Sequence, residues 1–125
     1  MTNGSDLVRL ASGRCVPEEG TYRLLEQSQL DQLKAILPDS WQLIENRLES
    51  TYRFDDYGQS LDFTNLIAGL AEEQNHHPKL ILEWGSVTVQ IWTHVIDGLA
   101  QGDFVFAAKV ALLMDGFSRS GPTSE

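Results

Sequence analysis

Only three histidines occur in the chain, and two are adjacent. His76 and His77 stand in the run Glu-Gln-Asn-His-His-Pro-Lys-Leu, residues 73–80, and His94 follows in Thr-His-Val. Imidazole moves protons near neutral pH, because its unperturbed pKa is about 6.5. Pro78 restricts His77 to extended backbone, which suits a side chain that must be aimed. The plain alternative is that these are capping and surface residues, since imidazole is favourable at a helix C-terminus. Metal ligation is not expected. Adjacent histidines do not point readily at one ion, and the chain has no H-x-x-x-H and no cysteine pair. There is also no G-x-G-x-x-G, P-loop or G-x-S-x-G. Cys15 has no local histidine to activate it. With Trp84 and Trp92 nearby in sequence, the residues point to acid/base chemistry on a polar heterocycle and leave the substrate open.

These side chains need elements to hold them. Residues 1–20 show no sustained period and read as a flexible arm, leaving a domain over 21–117 and a tail over 118–125. Ser28 and Asp31 resemble a capping box ahead of a stripe of Leu30, Leu33, Ile36 and Leu37. Pro38 ends that helix. From Trp41 the period becomes two: Trp41 and Leu43, a break at Glu45-Asn46-Arg47, then Leu48, Ser50, Tyr52 and Phe54 on one face. Asp55-Asp56 opens a helix whose core stripe is Phe63, Leu66, Ile67, Leu70 and Ala71, ending just before the histidine pair. Leu80 and Leu82 begin a second strand pair, with a bend at Gly85-Ser86. Val87, Val89 and Ile91 share one face of the next strand; Thr88, Gln90, Trp92 and His94 share the other. Gly98 breaks the strand, and Gly98 and Gly102 read as turn residues. Asp103 starts a last helix with a stripe of Phe104, Ala107, Ala108, Ala111 and Leu112, closed by Asp115-Gly116. The expected fold is two-layer α+β: an N-terminal helix, then β-β-α-β-β-α, with an antiparallel four-stranded sheet and helices on one face.

The chain of 125 residues suits one domain. Apolar residues at 42% and charged residues at 22% are ordinary for a soluble globular protein. A net charge of −9 repels phosphate backbones, so no direct nucleic-acid binding is expected. No apolar run approaches the roughly 18 residues of a membrane span. The N-terminus lacks a signal-peptide pattern, and a single cysteine forms no internal disulfide, so a cytoplasmic location is expected.

One string ties the chemistry-bearing residues together. Glu72 is followed after three residues by His76-His77-Pro78, after five more by Trp84, after nine by His94 and after eight by Asp103. This spacing resembles the motif of the pterin-4a-carbinolamine dehydratases, bacterial type, and the likeness runs from about Cys15 to Leu113. Cys-Val-Pro-Glu-Glu-Gly at 15–20 resembles the bacterial opening, with Glu18 where a second cysteine often lies.

The resemblance implies dehydration of 4a-hydroxytetrahydropterin to quinonoid dihydropterin. Pterin is then the substrate, no metal or organic cofactor is needed, and an aromatic amino acid hydroxylase is a functional link. It implies His77 and His94 as the acid/base pair, His76 orienting the pterin and Glu72 positioning an imidazole. Pro78 and Trp84 belong to the substrate wall, and Asp103 caps the last helix. A homodimer or homotetramer is expected, since Thr88, Gln90 and Trp92 lie on a sheet face that no helix covers. Relatives of this family also act as interaction proteins, in transcription-factor dimerisation and in Rubisco assembly in carboxysomes. A non-catalytic assembly role is therefore the alternative, disfavoured by the intact histidine set.

Overall fold

The computed structural model describes residues 4–120. Its elements are α1 (Gly4–Ala11), α2 (Gln27–Ile36), β1 (Gln42–Ile44), β2 (Arg47–Arg53), α3 (Tyr57–Gln74), β3 (Lys79–Glu83), β4 (Ser86–Ile91), a 3-10 turn at His94–Ile96, and α4 (Gln101–Ser120). The four strands are antiparallel in the order β1-β2-β4-β3. The expected α+β layering is therefore present, with one helix added ahead of it.

The register explains the two faces of the sheet. Ser50 pairs with Val89 and Tyr52 with Val87, while Leu80 and Leu82 meet the same two valines from the other side. Side chains alternate along a strand, so these residues share one face and pack beneath α3 and α4. The other face carries Arg47, Glu49, Thr51, Ile81, Thr88 and Gln90 and, among the described residues, bears no helix. Thr51 and Thr88 share a hydroxyl hydrogen bond of 2.9 Å there, and Gln90 donates to Glu49 at 2.6 Å. Beneath the covered face Trp41, Tyr52 and Phe63 meet edge to face. Phe63 is fully buried, and Phe63→Ala would cost about 3–5 kcal/mol.

Helix ends follow from local chemistry. Asp56 caps α3 by accepting from the Gln59 N–H at 2.8 Å, so the expected Asp55-Asp56 start holds. At the other end Asn75 takes φ 52°, and both its N–H and that of His76 reach the carbonyl of Ala71. That left-handed step halts the helix and turns the chain directly into the histidine pair.

Several expectations are corrected. The segment read as an arm holds α1, whose Leu7, Leu10 and Ala11 are buried against α4. Lys109 donates to the Ala11 carbonyl at 2.6 Å and so caps the end of α1. Gly102 is a helix residue rather than a turn: a Cβ there would strike the Cys15 carbonyl, so its lack of a side chain permits the close approach. The cap of α2 is Glu26, whose N–H donates to Gln29 at 2.9 Å, not Ser28 with Asp31. Leu66 is 44% exposed because the buried stripe of α3 runs Phe63, Ile67, Ala71 at every fourth residue. Helix α4 passes Asp115-Gly116, since Phe117 packs on Phe54 and Phe63 at 5.6 and 5.5 Å. The expected tail therefore begins inside α4, and residues 121–125 lie outside the described residues.

Candidate active site

The left-handed turn at Asn75 and the restriction imposed by Pro78 send His76 and His77 in different directions. His76 goes inward. Its Nε2 lies 2.7 Å from Oδ1 of Asp103, with side-chain exposures of 8% and 0%. The other oxygen of Asp103 accepts from the Thr93 hydroxyl at 2.8 Å and from the Ala100 N–H at 2.9 Å. Asp103 therefore performs the expected capping of α4 and also anchors an imidazole. Three donors converge on one carboxylate, which keeps the buried charge satisfied. Because Oδ1 accepts, the His76 ring carries a proton on Nε2.

His77 goes outward. Its Nε2 lies 2.7 Å from Oε2 of Glu72, one turn back on α3, and both side chains are largely in solvent. That pair orients the ring more than it stabilises the fold. Glu72 thus meets His77 alone among the imidazoles.

His94 does not continue β4. The strand ends at Ile91, and His94 opens the 3-10 turn, braced where Thr93 and Gly98 pair and where Asn46 donates to the Asp97 carbonyl at 3.2 Å. Its ring stacks on Trp92 with centroids 4.5 Å apart and planes 15° from parallel.

These elements enclose one hollow of about 460 Å³, lined by His76, His77, Pro78 and His94 together with Tyr22, Asn75, Lys79, Thr93 and Val95. Its size suits a small bicyclic ligand. The three imidazoles and Pro78 are thus brought together as the spacing implied. Trp84 is not. It sits at the β3–β4 turn, beyond the end of β3 opposite to Lys79, is 67% exposed and does not line the hollow. The aromatic wall comes instead from Tyr22, in the stretch between α1 and α2. No local pattern marks Tyr22, because its place depends on the backbone bond of 3.0 Å from Leu25 to Leu99. Thr93 lies past the end of β4, at the bridge with Gly98, where its hydroxyl reaches Asp103.

A larger hollow, about 820 Å³, lies between α1, the 14–26 stretch and the start of α4. Arg9, Arg14 and Arg23 line it, matched by Asp6, Glu19 and Glu26, and it holds no histidine. Cys15 borders it but is buried, which pushes its thiol up to about 11 against the opposing pull of Lys109, with Asp103 adding to the rise. At neutral pH that thiol is protonated and a poor nucleophile. Among the described residues no three His, Cys, Asp or Glu side chains converge as metal ligands, and no helix is long and apolar enough to cross a membrane.

Comparison with known proteins gives a consistent picture. Residues 23–113 match the sequence model of the family described as pterin 4 alpha carbinolamine dehydratase. A Rickettsia bellii protein assigned as a pterin-4-alpha-carbinolamine dehydratase is 43% identical over 107 residues, covering 85% of this chain and 95% of its own. A Rubrobacter xylanophilus protein with the same assignment is 44% identical over 102 residues, covering 81% and 94%. The crystal structure of a transcriptional coactivator/pterin dehydratase from Brucella melitensis superposes with a TM-score of 0.68 at 25% identity, covering 73% of this chain and 98% of that one.

Proposed function

Since the chain belongs to the pterin 4 alpha carbinolamine dehydratase family, we propose that it removes water from 4a-hydroxytetrahydropterin to give quinonoid dihydropterin. The observation that supports this best is the convergence of three imidazoles on one hollow, each with a different partner.

In the proposed reaction the C4a–O bond breaks and the C4a=N5 bond forms. The departing hydroxyl needs a proton and N5–H must lose one, so one imidazolium and one imidazole meet both demands. His77 and His94 fill these roles from different elements, one after α3 and one beyond β4. Glu72 holds the proton of His77 on Nε2 and leaves Nδ1 to exchange protons. His76, fixed by Asp103, orients the ring system. Pro78 and Tyr22 form its wall. The reaction consumes no cofactor, and neither hydride nor electron changes hands.

A physiological role in recycling the pterin of an aromatic amino acid hydroxylase follows from the chemistry, because such an enzyme leaves the 4a-hydroxy compound behind. A cytoplasmic setting accords with that role. The second reading is an interaction protein on the same fold, favoured by one observation: among the described residues the sheet face of Arg47, Ile81 and Gln90 has no covering layer. A stopped-flow assay with freshly generated 4a-hydroxytetrahydropterin separates the two. Saturable acceleration over the spontaneous rate supports the dehydratase. No acceleration at micromolar protein contradicts it.

A further inference from the structure

The three imidazoles are not held alike. His76 and His77 each donate to a carboxylate, Asp103 and Glu72. Among the described residues neither nitrogen of the His94 ring has a hydrogen-bond partner; the ring lies on the indole of Trp92, at 4.5 Å and 15°. The indole is itself held. Arg47 Cζ lies 3.8 Å from the centroid of the Trp92 ring. Two planar groups this close to one ring centroid cannot share a face, so Arg47 and His94 take opposite faces of the indole.

The chain builds this stack from sheet register and the turn that follows β4. Leu48 pairs with Ile91, which brings Arg47, one residue before Leu48, alongside Trp92, one residue after Ile91. Past the end of β4 the Thr93 hydroxyl reaches Asp103, while the rings of Trp92 and His94 stack on each other. Consecutive residues thus serve two different imidazoles: Thr93 steadies the carboxylate of His76, and Trp92 holds the ring of His94.

We propose that Trp92, clamped by Arg47, is a positioning residue that fixes the ring plane of His94 in the hollow. This rests on His94 carrying a proton in the dehydration. A carboxylate partner would commit one ring nitrogen. A stacked indole restricts the plane and commits neither, so the ring presents a free nitrogen edge to the substrate as acid or as base. Imidazolium over an indole is also a favourable pair, so the hold persists through both protonation states.

The test combines kinetics with histidine NMR on Trp92→Leu, Trp92→Phe and Arg47→Met. In the wild type the His94 Cε1–H resonance should lie upfield through the ring current of the indole. Trp92→Leu should move it downfield and lower kcat roughly tenfold, the scale of a misplaced catalytic group, with KM within about twofold. Trp92→Phe, which restores an aromatic face, should recover most of kcat. Arg47→Met should shift the resonance and lower kcat by about twofold to threefold. If Trp92→Leu does not fold, Arg47→Met and Trp92→Phe decide the matter. A folded variant whose His94 resonance moves while kcat stays at the wild-type value overturns the positioning role. So does a wild-type resonance without the upfield shift. An inactive wild type would overturn the dehydratase reading and this role together, whereas an active wild type with an indifferent Trp92 overturns this role alone.

Discussion

His76 and Asp103 sit 2.7 Å apart, 27 residues apart in sequence, with the carboxylate wholly buried. This contact ties the end of α3 to the start of α4 and makes one carboxylate serve both the fold and the site. Asp103→Ala would strand the donors on His76, Thr93 and Ala100. The expected cost is about 3 kcal/mol, read as a lower urea midpoint. Asp103→Asn keeps the volume but turns one acceptor into a donor. It should cost less, favour the Nδ1–H tautomer of His76, and raise KM more than it lowers kcat.

Among the described residues Tyr22 supplies the one aromatic ring lining the hollow besides the imidazoles. Tyr22→Ala should weaken pterin binding by about tenfold, since a ring stacked on an aromatic base is worth about 1–3 kcal/mol. Tyr22→Phe should bind nearly as well as wild type if the ring face is what matters. Titration with a non-reacting dihydropterin, followed by tryptophan or ligand fluorescence, checks both. Equal affinity in Tyr22→Ala and wild type would remove Tyr22 from the wall.

Cys15 gives a pH prediction. Burial raises its thiol from 9.0 to about 11 in the folded protein. A group whose folded value lies above its unfolded one stabilises the fold below the unfolded value. That contribution, about 2–3 kcal/mol, is complete below pH 9 and is lost as pH rises toward 11. Tyr52 is raised by burial as well, from 10.0, and adds to the decline above that pH. Urea unfolding from pH 8 to 11 should therefore show a steeper alkaline loss in wild type than in Cys15→Ala. Parallel curves would contradict the buried thiol.

The uncovered sheet face predicts self-association. It carries Ile81 at 37% exposure beside Thr88, with no helix laid over it among the described residues. A second copy lying on this face would cover the isoleucine. Sedimentation at micromolar concentration should show a dimer or tetramer. A single 14.0 kDa species would contradict this.

What the sequence disclosed depended on the range of the forces involved. The α3 cap at Asp56, the β2 and β4 alternation and the histidine turn are set by neighbours within a few residues, and periodicity displays them. α1 has only 8 residues and needs α4, roughly a hundred residues on, to bury Leu7 and Leu10, so its short pattern read as an arm. The extension of α4 depends likewise on Phe117 meeting Phe54 and Phe63. In the site, the spaced string joins His76, His77 and His94, which line one hollow, to Trp84, which does not line it, because a linear motif does not show which end of β3 a residue occupies. The partners of the imidazoles, Asp103 for His76 and Trp92 for His94, follow from tertiary packing and sheet register.

The decisive measurement is stopped-flow dehydration of 4a-hydroxytetrahydropterin by His77→Ala, His94→Ala and the double variant, each first shown to be folded by circular dichroism. Each single change should lower the rate roughly tenfold to a hundredfold, because the remaining imidazole still exchanges protons. The double variant should fall to the spontaneous rate, while His76→Ala should chiefly raise KM. A folded double variant that works at the wild-type rate would mean that the imidazoles are structural, and would leave the fold to the interaction reading.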